Sequence, residues 1–383
     1  MDWLTCLNNV KRIYLVKKIL LVAGDRHGLL KVLPLHKALH EHDGYEVLFA
    51  AGSPLPQGER SGENLPELFG ISETIFSVGA GGISPVGRTA SAMTAFEKFF
   101  VDEKPEIALI GGDDDVALAA ALAAAKLSLP IAYIGAGMRD YNRRSPGEIN
   151  RKLIDAVADI LFVSEHSGEY NLINEGYDED RIFFVGEMTI DSLAGLIGRA
   201  NSSSVTGDFG VEAKKYVLVL LDRAAALDDI DVLKKMERVV RTIAEKHPVL
   251  ILADPYVGTV LQEHEMEPAF TSLSGVQVRQ FPGYVELLRL VKDALFVLTD
   301  SLTAQAESTV MKVPCLTMLD DTSCPATIEI GTNVLVGDRE EDILRGIGDA
   351  VEGKIKHMAK IPEKWDGAVS QRIVDVLDRL FRE

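Results

Sequence analysis

Long hydrophobic runs are missing from this 383-residue chain. No stretch of about 18 or more apolar residues occurs, so a membrane-spanning helix is not expected. The first fifteen residues, "MDWLTCLNNVKRIYL", lack the basic start, apolar centre and small-residue cleavage site of a secretory leader. They read as an extension ahead of the first strand. Cysteine is scarce: Cys6, Cys315 and Cys324 lie far apart. That excludes a disulfide framework and a zinc-binding spacing, and it suits a reducing cytoplasm. Basic charge is also short, with 40 Lys and Arg against 58 Asp and Glu, a net charge of −18. A nucleic-acid partner needs clustered cations and is excluded on this balance. A small anion is not, because helix N-termini and a few placed arginines bind anions within acidic proteins.

What is present is a globular composition, 47% hydrophobic and 26% charged, over a length that accommodates two domains. Short apolar runs alternate with amphipathic stretches. "VKKILLVAG" (16–24), "YEVLFAAG" (45–52), "PEIALIGG" (105–112), "PIAYIGAG" (130–137), "ADILFVSE" (158–165) and "IFFVGE" (182–187) read as strands. Between them, 29–41 and 115–127 have helical spacing. A break at 199–210, "RANSSSVTGDFG", carries turn residues and no apolar period. The pattern then restarts with strands at 215–222, 248–254, 276–282, 294–300, 313–319 and 332–337, and a last helix at 368–381. Strand–helix alternation predicts an α/β fold with parallel sheets and right-handed crossovers. We expect two doubly wound, Rossmann-like domains, 1–190 and 191–365, and a C-terminal helix in 366–383 crossing back to the first. Ligands of such folds lie at the carboxyl ends of the strands, here in the cleft between the domains.

Three strand-to-helix junctions hold the chemistry-bearing residues. "GDRHGLLK" (24–31) sets Arg26 and Lys31 at a helix start, either as phosphate contacts or as solvated charges of a tight turn. "GGDDDV" (111–116) puts three aspartates at another helix start. They either cap the helix or crowd one carboxylate into use as an acid or base. "TDSLTAQAES" (299–308) ends a strand at Asp300, lets Ser301 cap a helix and carries Glu307 nearly two turns on. In "SPGEINR" (145–151), Ser145 and Glu148 have capping-box spacing around Pro146. Arg139, Arg143, Arg144 and Arg151 gather positive charge beside it, a candidate anion contact. His166 reads as a surface or helix-start histidine. Nothing in the sequence implies a metal.

These junctions, in this order, resemble the UDP-N-acetylglucosamine 2-epimerase family, whose two-domain fold is of GT-B type. The likeness runs from about residue 18 to the C-terminus. The family's "GTRPE" loop, with a lysine five residues beyond its arginine, matches Arg26 and Lys31. "HGDTTT" matches "GGDDDV" and retains Asp113. "EAGLR" matches "GAGMR" (135–139), and "PEEANR" matches "PGEINR" (146–151). "VGNTVIDAL" is similar to "VGEMTIDSL" (185–193), and "TDSGGIQEE" to "TDSLTAQAE", keeping Asp300, Ser301 and Glu307. "YGDGxAxxRI" resembles "WDGAVSQRI" (365–373).

The departures fall on reactive positions. Gly135 and Gly147 stand where the family motifs have glutamate, and Asp222 stands at the histidine of "GHRRE", followed by a retained Arg223. Cys324-Pro325-Ala326 replaces "RPE", and Leu302 replaces a glycine. The resemblance implies elimination and readdition of UDP at an N-acetylhexosamine sugar, with loss and return of the C2 proton. It places Asp113 as the surviving acid or base, with Glu148 or Asp222 as relocated partners. Arg26, Lys31, Arg139 and Arg223 would meet the anion, and Ser301 and Glu307 the sugar or ribose. It implies no separate redox cofactor, UDP or a UDP-sugar as ligand, and a homodimer. Two other readings stand beside an epimerase diverged in substrate or reaction: a non-catalytic UDP-sugar-binding protein, and a GT-B glycosyltransferase.

Overall fold

A computed structural model of the chain describes residues 16–53, 64–72, 75–79, 84–221, 229–253, 255–355 and 359–381. Its first half builds seven strands: β1 (Lys17–Ala23), β2 (Tyr45–Ser53), β3 (Phe76–Gly79), β4 (Ile107–Gly111), β5 (Ile131–Ala136), β6 (Ile160–Val163) and β7 (Ile182–Phe184). Its second half builds six: β8 (Val217–Leu220), β9 (Val249–Ala253), β10 (Val276–Gln280), β11 (Phe296–Thr299), β12 (Cys315–Thr317) and β13 (Asn333–Leu335). Every pairing is parallel. Ile19 to Ala23, Ile107 to Gly111 and Val217 to Leu220 are buried throughout, as strands covered by helices on both faces must be.

The sheet orders are β3-β2-β1-β4-β5-β6-β7 and β10-β9-β8-β11-β12-β13. Both reverse direction beside their first strand, so each opens a crevice at the β1/β4 or β8/β11 edge, the doubly wound arrangement. The two-domain α/β class expected from the strand–helix alternation is the observed one. β3 was not expected: four residues with only Val78 buried carry too little pattern to read. The break at 199–210 differs as well. The helix Thr189–Asn201 runs into it, and Val205–Asp208 forms a further helical turn anchored by buried Val205.

The helix Thr189–Asn201 joins the two halves. It packs against the helix Arg26–His40 on one side and against Tyr284–Asp293 and Leu302–Val310 on the other. One apolar cluster therefore runs from Leu29 and Leu33 through Leu193 and Leu196 to Leu287 and Leu288. The chain then returns. Trp365 is buried, and its indole Nε1 donates to the Ser164 carbonyl at 3.0 Å. The last helix, Val369–Leu380, packs on Arg26–His40. Its first turn is capped from elsewhere in the chain, as Asp191 accepts from Val369 N (3.0 Å), Ser370 N (2.7 Å) and Ser370 Oγ (2.7 Å). Among the described residues, no helix is long and apolar enough to cross a membrane.

Candidate active site

The β1/β4 crevice opens onto the second domain. At its mouth Asp25 caps the helix Arg26–His40 by accepting from Gly28 N at 2.7 Å. This fixes the next side chains in three directions. The Arg26 guanidinium lies 4.3 Å from the Phe281 ring centroid and 5.5 Å from that of Tyr284, both in the second domain. His27 Nδ1 lies 2.9 Å from Thr303 Oγ1, also across the cleft. Lys31, one turn further, is buried and lines a small cavity together with His27, Asp113, Arg151 and Glu187.

The three aspartates divide the two roles that the sequence leaves open. Asp114 is the cap, its Oδ1 accepting from Val116 N (2.7 Å) and Ala117 N (3.2 Å). Asp115 pairs with Arg88 at 2.8 Å. Asp113 is thereby released from capping and turns into the cavity, 2.5 Å from Arg151 Nη1. Asn150 Nδ2 holds its backbone through the Asp113 carbonyl at 2.8 Å. Burial alone would push the Asp113 carboxyl up, but the charges of Arg151, His27 and Lys31 outweigh it and hold the group below its ordinary range. The crevice thus keeps an ionised carboxylate beside three cationic or ionisable nitrogens.

The second domain adds a larger neighbouring space, lined by Arg26, His27, Leu220, Phe281, Ser301 and Glu307. Ser301 caps the helix Leu302–Val310 through Ala304 N at 3.5 Å. Buried Glu307 accepts from the Tyr284 hydroxyl at 2.6 Å. The helices starting at Arg26 and Leu302 therefore direct their N-termini at one cleft, a geometry that favours anions. Asp222 and Arg223 lie outside the described residues; Leu220, two residues before them, lines this space.

Other expected site residues sit elsewhere. The Arg139 side chain is fully buried, pairing with Asp155 at 2.7 Å and Glu175 at 2.7 Å. It lines neither cavity, because the two carboxylates draw it under the sheet edge. Glu148 is buried as well and lines neither. It accepts from Asp140 N and Arg151 Nη2, both at 3.0 Å. The expected capping box does not form: Ser145 is the N-cap residue but accepts no cap bond, and Glu148 reaches instead to the preceding loop. Its effect on the site is indirect, through Arg151. His166 begins the helix His166–Asn174 and is exposed between Glu169 and Glu363.

The two glycines differ in what they permit. Gly135 has φ +91°, at a register irregularity between β5 and β6. A Cβ there would be strained and would lie 2.7 Å from Lys31 Nζ. Gly147 sits over the Asp113–Arg151 pair, where a Cβ would come 3.1 Å from Asp113 Oδ2. Four groups at the cleft escaped sequence reading. His27 and Thr303 bridge the domains, and the Tyr133 ring and Glu187 line the inner cavity. Glu187 closes the run 182–187 that reads as a strand, and only its acid in place of the family motif's asparagine could have drawn notice.

At the rim, Glu165 at the end of β6 meets the second domain, facing Cys324 Sγ (3.5 Å) and Ala326 N (3.4 Å). Burial pushes its carboxyl up to about 7 against the donors Ser167, Cys324 and Ala326. The Cys324 thiol is pushed well up by burial and by the Glu165 charge. Among the described residues, no three His, Cys, Asp or Glu side chains are grouped to hold a metal ion.

The chain is similar to known proteins over most of its length. UDP-N-acetylglucosamine 2-epimerase of Methanocaldococcus jannaschii is 29% identical over 340 residues, covering 86% of this chain and 91% of its own. The crystal structure of that enzyme in complex with UDP-GlcNAc and UDP superposes with a TM-score of 0.85, covering 94% of this chain and 99% of the other at 29% identity. UDP-2,3-diacetamido-2,3-dideoxy-D-glucuronate 2-epimerase of Pseudomonas aeruginosa is 30% identical over 374 residues, covering 95% of this chain and all of its own. The family model described as UDP-N-acetylglucosamine 2-epimerase matches residues 47–378, and with the cleft and the Asp113 cluster in place the chain belongs to that family.

Proposed function

We propose that the protein is a UDP-sugar 2-epimerase that inverts C2 of a 2-acetamido sugar by eliminating and readding UDP. One observation carries this reading: Asp113 is excused from helix capping and held, ionised, in the same cavity as Lys31, His27 and Arg151. The adjacent space, faced by two helix N-termini, suits a diphosphate. In the reaction the C2–H bond breaks toward a carboxylate, its electron pair forms the C1=C2 bond, and the C1–O pair leaves with UDP. Lys31 and His27 offset the charge that grows on the leaving phosphate. UDP then readds at C1 while a proton is delivered to the other face of C2, which gives the epimer.

Arg26 would contact the nucleotide side from its seat against Phe281 and Tyr284. Ser301 and Glu307 would meet the ribose or sugar from the second domain. Asp222 and Arg223 belong to the same proposal, following Leu220 at the cleft wall. The domain division near residue 190 fits the junction of β7 with the helix Thr189–Asn201. The buried, unbridged thiols of Cys315 and Cys324 fit a cytoplasmic setting. A homodimer is what the family implies, and light scattering measures it.

The test is incubation with UDP-N-acetylglucosamine and separation of the products. Formation of UDP-N-acetylmannosamine supports the reading; its absence, together with inactivity on the diacetamido-glucuronate analogue, rejects it. A binding-only reading draws on Gly135 and Gly147, where no carboxylate is supplied. It requires UDP affinity without turnover of either sugar.

A further inference from the structure

We propose that Glu187 is the second proton-transfer carboxylate of this site, standing in space for the glutamate that the tip of β5 lacks; the proposal rests on the epimerase reading. C2 inversion by elimination and readdition needs two groups, one to take the proton from one face of the sugar and one to return it on the other. Asp113 supplies one. The family motif would place another at residue 135, but Gly135 adopts a left-handed φ there and Lys31 Nζ lies where its side chain would begin.

Glu187 answers that vacancy from another element of the first domain. It is buried, it lines the cavity shared with Asp113, Lys31 and Gly135, and the family motif has an uncharged asparagine at its position. Two exchanges thus offset each other: a carboxylate lost beside Lys31 and a carboxylate gained within the same cavity. Glu187 is also held in a fixed pose. Its Oε1 accepts from Thr189 N at 3.1 Å and Thr189 Oγ1 at 3.0 Å, bonds made by the first residue of the helix that joins the domains. Burial would push its carboxyl up, but the charges of Lys31 and His27 and the Thr189 N–H outweigh it, so the group is ionised.

The proton balance is closed by the pair. One carboxylate takes the C2 proton as UDP leaves; the other, entering as a carboxylic acid, returns a proton to the opposite face as UDP readds. Diphosphate binding brings negative charge beside Lys31 and His27 and so raises the proton affinity of both carboxylates, which draws that one proton from solvent. Reverse turnover or exchange with solvent resets the two.

The competing explanation is that Glu187 only neutralises Lys31 and ties down Thr189. Turnover, C2 exchange in D₂O and UDP affinity, measured on wild type, Glu187→Gln and Glu187→Asp, separate the two. UDP-N-acetylglucosamine is the exchange probe. We expect Glu187→Gln to lose about 10²–10⁴-fold in epimerisation, with calorimetric UDP affinity within a few fold of wild type. Glu187→Asp keeps the charge but withdraws it by one methylene, so it should bind UDP normally and turn over slowly. Epimer formation by Glu187→Gln within a few fold of wild type overturns the proposal while leaving the epimerase reading intact, whereas C2 exchange that persists without epimer formation supports it, because Asp113 then works its own face alone. Joint loss of UDP affinity and activity also overturns it and marks a structural role. If Glu187→Gln does not fold, Glu187→Asp decides, and an unchanged rate in it overturns the proposal. Wild type that binds UDP yet neither epimerises nor exchanges C2 of this sugar or of the diacetamido-glucuronate analogue rejects the underlying reading and this proposal with it.

Discussion

Asp113 and Asp114 are neighbours in sequence with opposite duties. The cap function resides in Asp114, whose Oδ1 holds two backbone N–H groups. Asp113→Asn should therefore leave the helix start intact and keep UDP affinity within a few fold, while turnover falls about 10²–10⁴-fold. Parallel calorimetry and rate measurements check it. A variant that turns over normally would return Asp113 to a structural role. The sequence alone could not choose between these duties, because both need a carboxylate at a helix start. The choice is made by Arg151, thirty-eight residues away, which draws Asp113 out of the cap.

Glu165 yields a prediction of a different kind. No cation faces it in the described contacts, since Cys324 stands where the family motif has arginine. Its carboxyl sits at about 7 in the folded protein against an ordinary 4.5. The folded state thus binds this proton more tightly than the unfolded chain. Its stabilising effect is complete below pH 4.5 and is lost as pH rises through 7. Glu165→Gln removes that dependence. Relative to wild type, the variant should gain stability between pH 5 and pH 8, by up to about 3 kcal/mol. Urea unfolding at the two pH values measures the difference. An equal offset at both would show that Glu165 does not carry the shift.

Strands and helices differ in how openly the sequence declares them. β1, β4 and β8 are continuous apolar runs because helices cover both faces, and such runs are legible by length and flanking glycines. β3 is a short strand at one end of the sheet order and left no readable pattern. The site was legible where it rests on one junction, as with Arg26, Lys31, Asp113, Ser301 and Glu307. It was illegible where residues reach across: His27 to Thr303, Arg139 to Asp155, Glu187 into the cavity from the turn after β7.

The last helix shows the same dependence. Its own first turn offers no cap, and Asp191 from the joining helix supplies one. Asp191→Ala leaves those N–H groups and the Ser370 hydroxyl without their acceptor. A loss of about 2 kcal/mol is expected, at the upper end for a cap. Equilibrium unfolding reads it, and a loss of a few tenths would mean that the return crossing is held by Trp365 and its apolar face alone.

The two domains meet along the joining helix, the returning C-terminal segment and the Arg26 and His27 contacts, so the cleft is assembled only when both are in place. Each side brings half of what the chemistry requires. The first domain holds the buried Asp113 carboxylate and its cations; the second holds the aromatic and hydroxyl wall beside Arg26. A binder could use the second set alone, whereas a catalyst needs both. The decisive measurement is incubation of the wild-type protein with UDP-N-acetylglucosamine in D₂O, followed by proton NMR of the sugar. Loss of the C2 proton signal, with deuterium at C2 of the epimeric product, is the predicted result. UDP bound at saturation, with the C2 proton untouched in this sugar and in the diacetamido-glucuronate analogue run in parallel, would contradict it.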